Sequence, residues 1–307
     1  MTDLIVIGAG MAGMTACLYA LRQGKSVTII EQNAIGGQIA ESPRVENYPS
    51  VESISGAELA DKTFTQIMNK GADFEFGRVN KIEKIDGVFK VYLEDKTLEA
   101  CAVVVATGCT HRKFNLPNED KLIGHGISYC ALCDGAFYAG EDIVLIGDAN
   151  TALQYALLLS GYAKSVHIVT LFDKFFGDKA LIDSVLAKDN IKVSHNLSLK
   201  KFVGENKLEA LIFENTQTKE EVKMKTPAVF VAIGQVADNK VFEGLADLDK
   251  GGYFERREDL STKTPGLFVA GDCTAKQVKQ VATAVSDGAI AATSACNYLL
   301  SLKQIDV

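Results

Sequence analysis

The 307-residue chain has no surplus of basic charge: 39 acidic residues outnumber 32 lysines and arginines, leaving a net charge of −7. A general nucleic-acid binder needs a basic face, so that class is set aside, although a local basic patch for an acidic partner is not. Long apolar runs are also missing. None approaches the ~20 residues that a membrane span requires, and no membrane association is expected. Met1-Thr2-Asp3 leads straight into Leu4-Ile5-Val6-Ile7, without the basic segment that opens a secretory leader. The seven cysteines are odd in number and mostly isolated. That is the usage of a reduced compartment rather than of a disulfide framework, so the expected location is cytoplasmic. The four histidines are scattered, and no tandem repeat or low-complexity tract is present.

What remains is an ordinary globular composition, 47% hydrophobic and 23% charged, able to form a sizeable core. The length suits about two domains of ~150 residues each, and two similar units stand out. In the first, the apolar run Leu4 to Ile7 ends in Gly8-Ala9-Gly10-Met11-Ala12-Gly13, a helical segment continues to Leu21, and a strand from Ser26 to Ile30 ends at Glu31. This is the βαβ setting in which GxGxxG binds a dinucleotide. Gly8 permits the tight turn, Gly10 lets the backbone approach a pyrophosphate, and Gly13 allows close helix–strand packing. Free N–H groups at the helix start favour the anion. Glu31 follows Gly8 by 23 residues, near the ~20 expected of an acid that bonds a ribose hydroxyl.

The second unit begins with Ile143 to Ile146, turns at Gly147-Asp148-Ala149-Asn150-Thr151-Ala152, and continues as a helix through Ser160 and a strand from Ser165 to Val169. Phe74 to Val79, Ile82 to Ile85, Phe89 to Leu93 and Thr97 to Ala100 read as an antiparallel layer, and Lys200 to Lys225 as another. Ala102 to Ala106 reads as a separate buried strand, and Gln280 to Leu300 as a small-residue helix. The expected division places residues 1–114 and 244–307 in one domain and 115–243 in an inserted one.

Cys130-Ala131-Leu132-Cys133-Asp134 carries the most telling chemistry. Two thiols separated by two residues can close a small ring, and a CxxC setting commonly lowers one pKa toward neutrality. Disulfide exchange needs that thiolate as its nucleophile, and Asp134 is a neighbouring candidate acid/base. Zinc is the main competing use, but it takes four ligands, usually from a second paired motif. Cys17, Cys101, Cys109, Cys273 and Cys296 form no such pair, so no metal is expected. Two buried structural cysteines are the remaining alternative.

Several segments strengthen one resemblance. Gly36-Gly37-Gln38, Val45-Glu46-Asn47-Tyr48-Pro49, Ala106-Thr107-Gly108, Gly271-Asp272 and Lys279-Gln280-Val281-Ala282-Thr283-Ala284, in that order and with CxxC-Asp, resemble the low-molecular-weight thioredoxin reductase family over nearly the whole chain. Lys279 stands where that family usually has Arg. The resemblance implies an α/β fold of two Rossmann-like, three-layer ββα domains of the pyridine nucleotide-disulfide oxidoreductase type. It implies FAD, held by Gly8, Gly10, Met11, Ala12, Gly13, Glu31, Gln32, Gly37, Gln38, Asn47, Thr107, Gly108, Gly271, Asp272, Lys279, Gln280, Val281 and Ala282. Asp272 would lie at the ribityl side and Gln280-Val281-Ala282 beside the isoalloxazine. Cys133 would face the flavin, Cys130 would attack the disulfide of a thioredoxin, and Asp134 would donate the proton. A homodimer is implied as well, with the CxxC domain rotating about connections near 112–117 and 242–248.

The second turn departs from that family. Ala149 occupies the position where glycine lets phosphates approach, and Asp148 puts negative charge where an anion should sit. Thr170 replaces the ribose acid. Leu171, Phe172 and Phe176 stand in place of the three arginines of the family's HRRxxxR motif, whose guanidinium forks suit a 2′-phosphate. Lys174 is the one basic residue there, beside Asp173. The pattern resembles the ferredoxin-dependent flavin thioredoxin reductases, which keep the fold and lack the NADPH motifs. The expected electron donor is therefore reduced ferredoxin. An NADPH-driven enzyme with an atypical second site, a ferredoxin–NADP reductase and a non-catalytic flavin module are the alternatives.

Overall fold

The structure is a computed structural model and describes residues 1–42 and 45–305. The chain divides into two compact units, Met1–Thr110 with Val236–Val307, and His111–Gln235. The sequence places the joints near 114 and 243, so the second lies several residues earlier than expected. Asn239 and Phe242 account for the shift. Asn239 is fully buried and donates to Gly252 O (2.9 Å) and Cys273 O (3.1 Å), while Phe242 packs in a core cluster with Phe254 and Val269. Both therefore belong to the first unit.

The first unit is built on β1 (Thr2–Ile7), followed by α1 (Met11–Arg22), β2 (Val27–Glu31), α2 (Gly56–Met68), β3 (Asp73–Phe76), β4 (Lys81–Ile85), β5 (Val88–Tyr92) and β6 (Thr97–Val105). A strand at Leu267–Val269 and a long helix at Val281–Ile305 complete it. One seven-stranded sheet runs in the order β3-β2-β1-β6-β5-β4, with Leu267–Val269 also on β6. Two expectations change here. The segment beginning at Phe74 pairs in parallel with β2 rather than joining an antiparallel layer. The expected strands at 97–100 and 102–106 are one strand, antiparallel to β5 in its first half and parallel to β1 and Leu267–Val269 in its second.

Alternation along β1 explains the layering, because successive side chains leave opposite faces of a strand. Leu4 and Val6 pack with Met14, Cys17, Ala291 and Ala295 on the helical side. Ile5 and Ile7 pack with Phe89, Val91 and Phe254 on the other. Small residues let α1 and the long helix approach closely: a Cβ on Gly288 would lie 2.2 Å from Ala12 O.

In the second unit five parallel strands run in the order Ile191–Ser194, Ser165–Val169, Asp142–Ile146, Val229–Val231, Ile127–Ser128. Helices Asn150–Leu159 and Lys179–Leu186 contribute to the core on one face, where Ile143 and Leu145 meet Leu153, Leu159 and Val185. The antiparallel strands Leu197–Val203, Ala210–Asn215 and Glu221–Lys225 contribute to the other, where Val144 and Ile146 meet Phe202, Leu211 and Phe213. The result is a three-layer ββα arrangement, and both units are Rossmann-like.

Candidate active site and the two dinucleotide turns

In the first unit the chain turns directly from β1 into α1. Gly8 has φ +106°, and a Cβ there would lie 2.3 Å from Ala106 O. A Cβ on Gly13 would lie 1.9 Å from Gly8 O, so the helix could not seat against the turn. Gly10 differs, since a Cβ there would come no closer than 3.8 Å to Gly36 O. The chain itself leaves that space open. Glu31 is buried. Its Oε2 accepts from Ala9 N–H (2.8 Å), and its Oε1 from the N–H groups of Gln32 (2.9 Å) and Asn33 (2.8 Å). A carboxylate has about four acceptor sites, so Glu31 braces the turn and Oε2 keeps capacity for one more donor. Met11 and Ala12, the first residues of α1, are buried beside it.

The other expected residues of this unit gather around the same strand ends. Gln38 donates to Cys109 O, with Gly37 preceding it at φ +60°. Asn47 donates to Gln280 Oε1 at 3.2 Å, joining segments 233 residues apart. Thr107 donates to Asn239 Oδ1 at 3.0 Å, and Gly108 has φ +69° with no atom within 4 Å of a Cβ placed there. Lys279 lies 3.9 Å above the Tyr253 ring and donates to Asp272 O. Val281 opens the long helix with Ala282 exposed beside it. Burial pushes the Asp272 carboxyl up, opposed by Lys276. Its Oδ1 is buried without a hydrogen-bond donor. An acceptor of that kind is costly unless a donor arrives, and a ribityl hydroxyl would supply one. With the open space at Gly10 and Gly108, these residues fit FAD. Asn239 and Asp287 were not legible as site residues. Asn239 carries no motif, and Asp287 sits within a helix that otherwise reads as small-residue packing.

In the second unit Cys130 and Cys133 form a disulfide, with Cα atoms 5.3 Å apart. Cys130 caps the short helix Ala131–Asp134, and its Sγ accepts from Cys133 N–H at 3.2 Å. In the reduced protein the same donor would stabilise a Cys130 thiolate. Ser128, which sequence reasoning missed, is buried and donates to Asp134 Oδ2 (2.6 Å) while accepting from Cys130 N–H (3.1 Å). It therefore ties the acid to the redox loop. Burial, followed by the charge of Asp134, raises the pKa of Tyr138 and of Tyr155, which places both phenols within its electrostatic reach. Among the described residues no group of three His, Cys, Asp or Glu is placed to hold a metal ion, and no helix is long and apolar enough to cross a membrane.

The second turn is folded differently. Gly147 has φ +154°, and a Cβ would lie 2.5 Å from Ala232 O, so the glycine serves the turn itself. Ala149 caps the helix Asn150–Leu159. Residues 171–178, where arginines were expected in the family pattern, close onto this turn. Phe176 N–H donates to Asp148 O at 2.7 Å. Asn150 Nδ2 donates to Asp178 Oδ2 (3.0 Å), and Asp178 N–H donates to Asn150 Oδ1 (2.7 Å). Thr170 donates to Phe172 O at 2.7 Å and contacts His195 Nδ1 at 2.7 Å. Phe172 and Phe176 meet edge to face, with Lys174 over the Phe176 ring.

With a glycine-lined turn in one unit and a bridged CxxC in the other, the chain has the parts of a flavoprotein disulfide reductase. It matches the model of the pyridine nucleotide-disulphide oxidoreductase family over residues 2–288 and belongs to that family. It is 38% identical over 305 residues to the thioredoxin reductase of Bacillus subtilis, covering 98% of this chain and 96% of that one. It is also 38% identical over 298 residues, 97% of each chain, to a 34.2 kDa protein in the rubredoxin operon of Clostridium pasteurianum. The thioredoxin reductase of Streptococcus pyogenes, known from its crystal structure, superimposes with a TM-score of 0.94 at 36% identity, covering 98% of this chain and 99% of that one.

Proposed function

We propose that this chain is an FAD-dependent thioredoxin reductase that takes its electrons from reduced ferredoxin rather than from NADPH. The observation that carries the choice of donor is the closure of the second turn. Phe176 and the Asn150–Asp178 pair tie residues 176–178 to the turn, Ala149 stands where phosphate approach needs glycine, and the sequence from 147 to 178 holds no arginine for a 2′-phosphate. The thioredoxin reading rests on the CxxC geometry together with the named relatives.

The chain's own residues account for the exchange. The Cys130 thiolate attacks one sulfur of the partner disulfide, forming a mixed disulfide and releasing a partner thiolate, which takes a proton from Asp134. The Cys133 thiolate then attacks Cys130 Sγ and expels the second partner thiolate, which is protonated in turn. Two electrons have moved, and the Cys130–Cys133 bond is restored. When bound, FAD supplies the mixed one- and two-electron chemistry that lets two one-electron donors regenerate the dithiol. The turn at Gly8–Gly13, Glu31 and Asp272 would hold it. The active form is a cytoplasmic homodimer, and light scattering tests its mass.

The test is anaerobic mixing of the yellow protein with NADPH, and separately with reduced ferredoxin, while following the flavin absorbance. Bleaching only with ferredoxin, followed by dithiols on added thioredoxin, is the expected result. Rapid bleaching by NADPH would restore the ordinary pyridine-nucleotide enzyme.

A further inference from the structure

The segment after the strand Leu267–Val269 is held by charges that the proposed mechanism does not use. Asp287, on the long helix, is buried. Its Oδ2 accepts from Gly271 N–H (3.1 Å) and from Lys276 Nζ (2.9 Å), and its Oδ1 accepts from Arg256 Nη1 (2.9 Å). The Lys276 side chain is only 7% exposed. Its ammonium also lies 3.3 Å from Thr283 Oγ1 and 3.2 Å from Asp272 Oδ1. That last approach is an ion pair that opposes the effect of burial on Asp272.

We infer that Lys276, anchored by Asp287, is a positioning residue that keeps Asp272 charged and correctly placed to accept a hydroxyl of the flavin's ribityl chain. The inference rests on the reading that FAD binds at Asp272. Asp287 fixes two things at once. It holds the backbone at Gly271, whose φ of +82° sets the bend before Asp272, and it holds the ammonium that faces the Asp272 carboxylate. With Asp287 and Thr283 fixing two of its three N–H groups, the ammonium is held beside Asp272, and a carboxylate with about four acceptor sites keeps capacity for a ribityl hydroxyl. A buried ion pair that loses one member leaves the other uncompensated, so the two residues should act as a unit.

Asp272 is faced by Lys276, Lys279 and Asp287, and by the thiols of Cys109 and Cys273. Burial raises its carboxyl, and Lys276 is the first opposing charge. FAD retention should therefore weaken as pH falls through the Asp272 titration, and removing the Lys276 charge should move that fall to higher pH.

The experiment follows free FAD fluorescence as wild-type, Lys276→Met, Lys276→Arg and Asp287→Asn holoenzymes are diluted across a pH series. In Lys276→Met, retention should drop about tenfold near neutral pH, the loss of one charge-assisted interaction, and the acid fall should begin at higher pH. Lys276→Arg should restore the wild-type profile, and Asp287→Asn should also release FAD faster. If Lys276→Met does not fold, the rate for Asp287→Asn against Lys276→Arg decides. Wild-type retention and pH profile in both charge-removing variants would overturn the inference alone. A wild-type protein that binds no FAD would overturn it together with the proposed function.

Discussion

The two units present the same local plan, a strand, a glycine turn and a helix, built from different residues at the turn. At 8–13 the glycines are needed for two different reasons. Gly8 and Gly13 are required by the chain's own packing, whereas Gly10 faces open space and is required only if something else lies there. At 147–152 the packing demand remains at Gly147, and the rest of the turn is tied to residues 176–178 by hydrogen bonds through Phe176, Asn150 and Asp178. On the proposed reading, a turn can keep the residues that fold it after losing those that bind a nucleotide. On that reading the second unit's chemistry lies in its CxxC.

The largest effect should come from removing that chemistry. Cys130→Ser or Cys133→Ser should each lower steady-state dithiol exchange by at least about a thousandfold, as for loss of a nucleophile. Thioredoxin reduction coupled to a chromogenic disulfide measures it. Unaltered reduction in both variants would leave the second unit without a function. The next effect divides the glycines of the first turn. Gly13→Ala forces a Cβ toward Gly8 O and should destabilise the protein by about 3 kcal/mol in urea unfolding, near the top of the range for overpacking. Gly10→Ala should leave the apoprotein within about 0.5 kcal/mol of wild type while weakening FAD by roughly tenfold or more. Equal loss of stability in the two variants would erase the distinction.

Much of this was legible in the sequence, and the parts that were not share a cause. GxGxxG, the acid at 31 and CxxC-Asp are short patterns whose chemistry depends on spacing along the chain. The order of the sheet depends instead on partners. The strand β6 reads as two because its alternation changes at Cys101. Residues 97–100 are buried on one face only, whereas 102–105 are covered on both, so the periodicity breaks although the backbone does not. The orientation of β3 was likewise unreadable, since alternation along one strand does not say which way its neighbour runs. Asp287 with Lys276, Asn239 with Thr107, and Asn150 with Asp178 are pairs separated by 11 to 132 residues. No local signal marks such partners. The departures at Ala149 and Leu171 did show that the second turn was altered, but not that Phe176 and Asp178 would bond to it.

The closed turn offers a smaller test. Asn150→Ala removes both hydrogen bonds to Asp178 and should cost about 1–2 kcal/mol by denaturation. Freed in this way, the turn should still fail to support flavin bleaching by NADPH, because opening it restores neither the second glycine nor the arginines. A gain of NADPH reactivity would mean that closure alone excludes the nucleotide.

The smallest effect concerns Asp148. Its carboxyl is raised by burial, which outweighs a backbone hydrogen bond that lowers it. A carboxyl whose folded pKa lies above its unfolded one binds its proton more tightly in the folded protein. Stability is then lost as pH rises through the interval between the two values, and the penalty is complete above it. Asp148→Asn removes the titration. It should raise Tm slightly at neutral pH, by about a degree, and the gain should disappear in acid, where the wild-type carboxyl is protonated in both states. Thermal unfolding at pH 7 and again below the ordinary carboxylate range measures the difference. A gain that persists in acid would show that the charge at this turn costs nothing, and that Asp148 is tolerated for its backbone carbonyl alone.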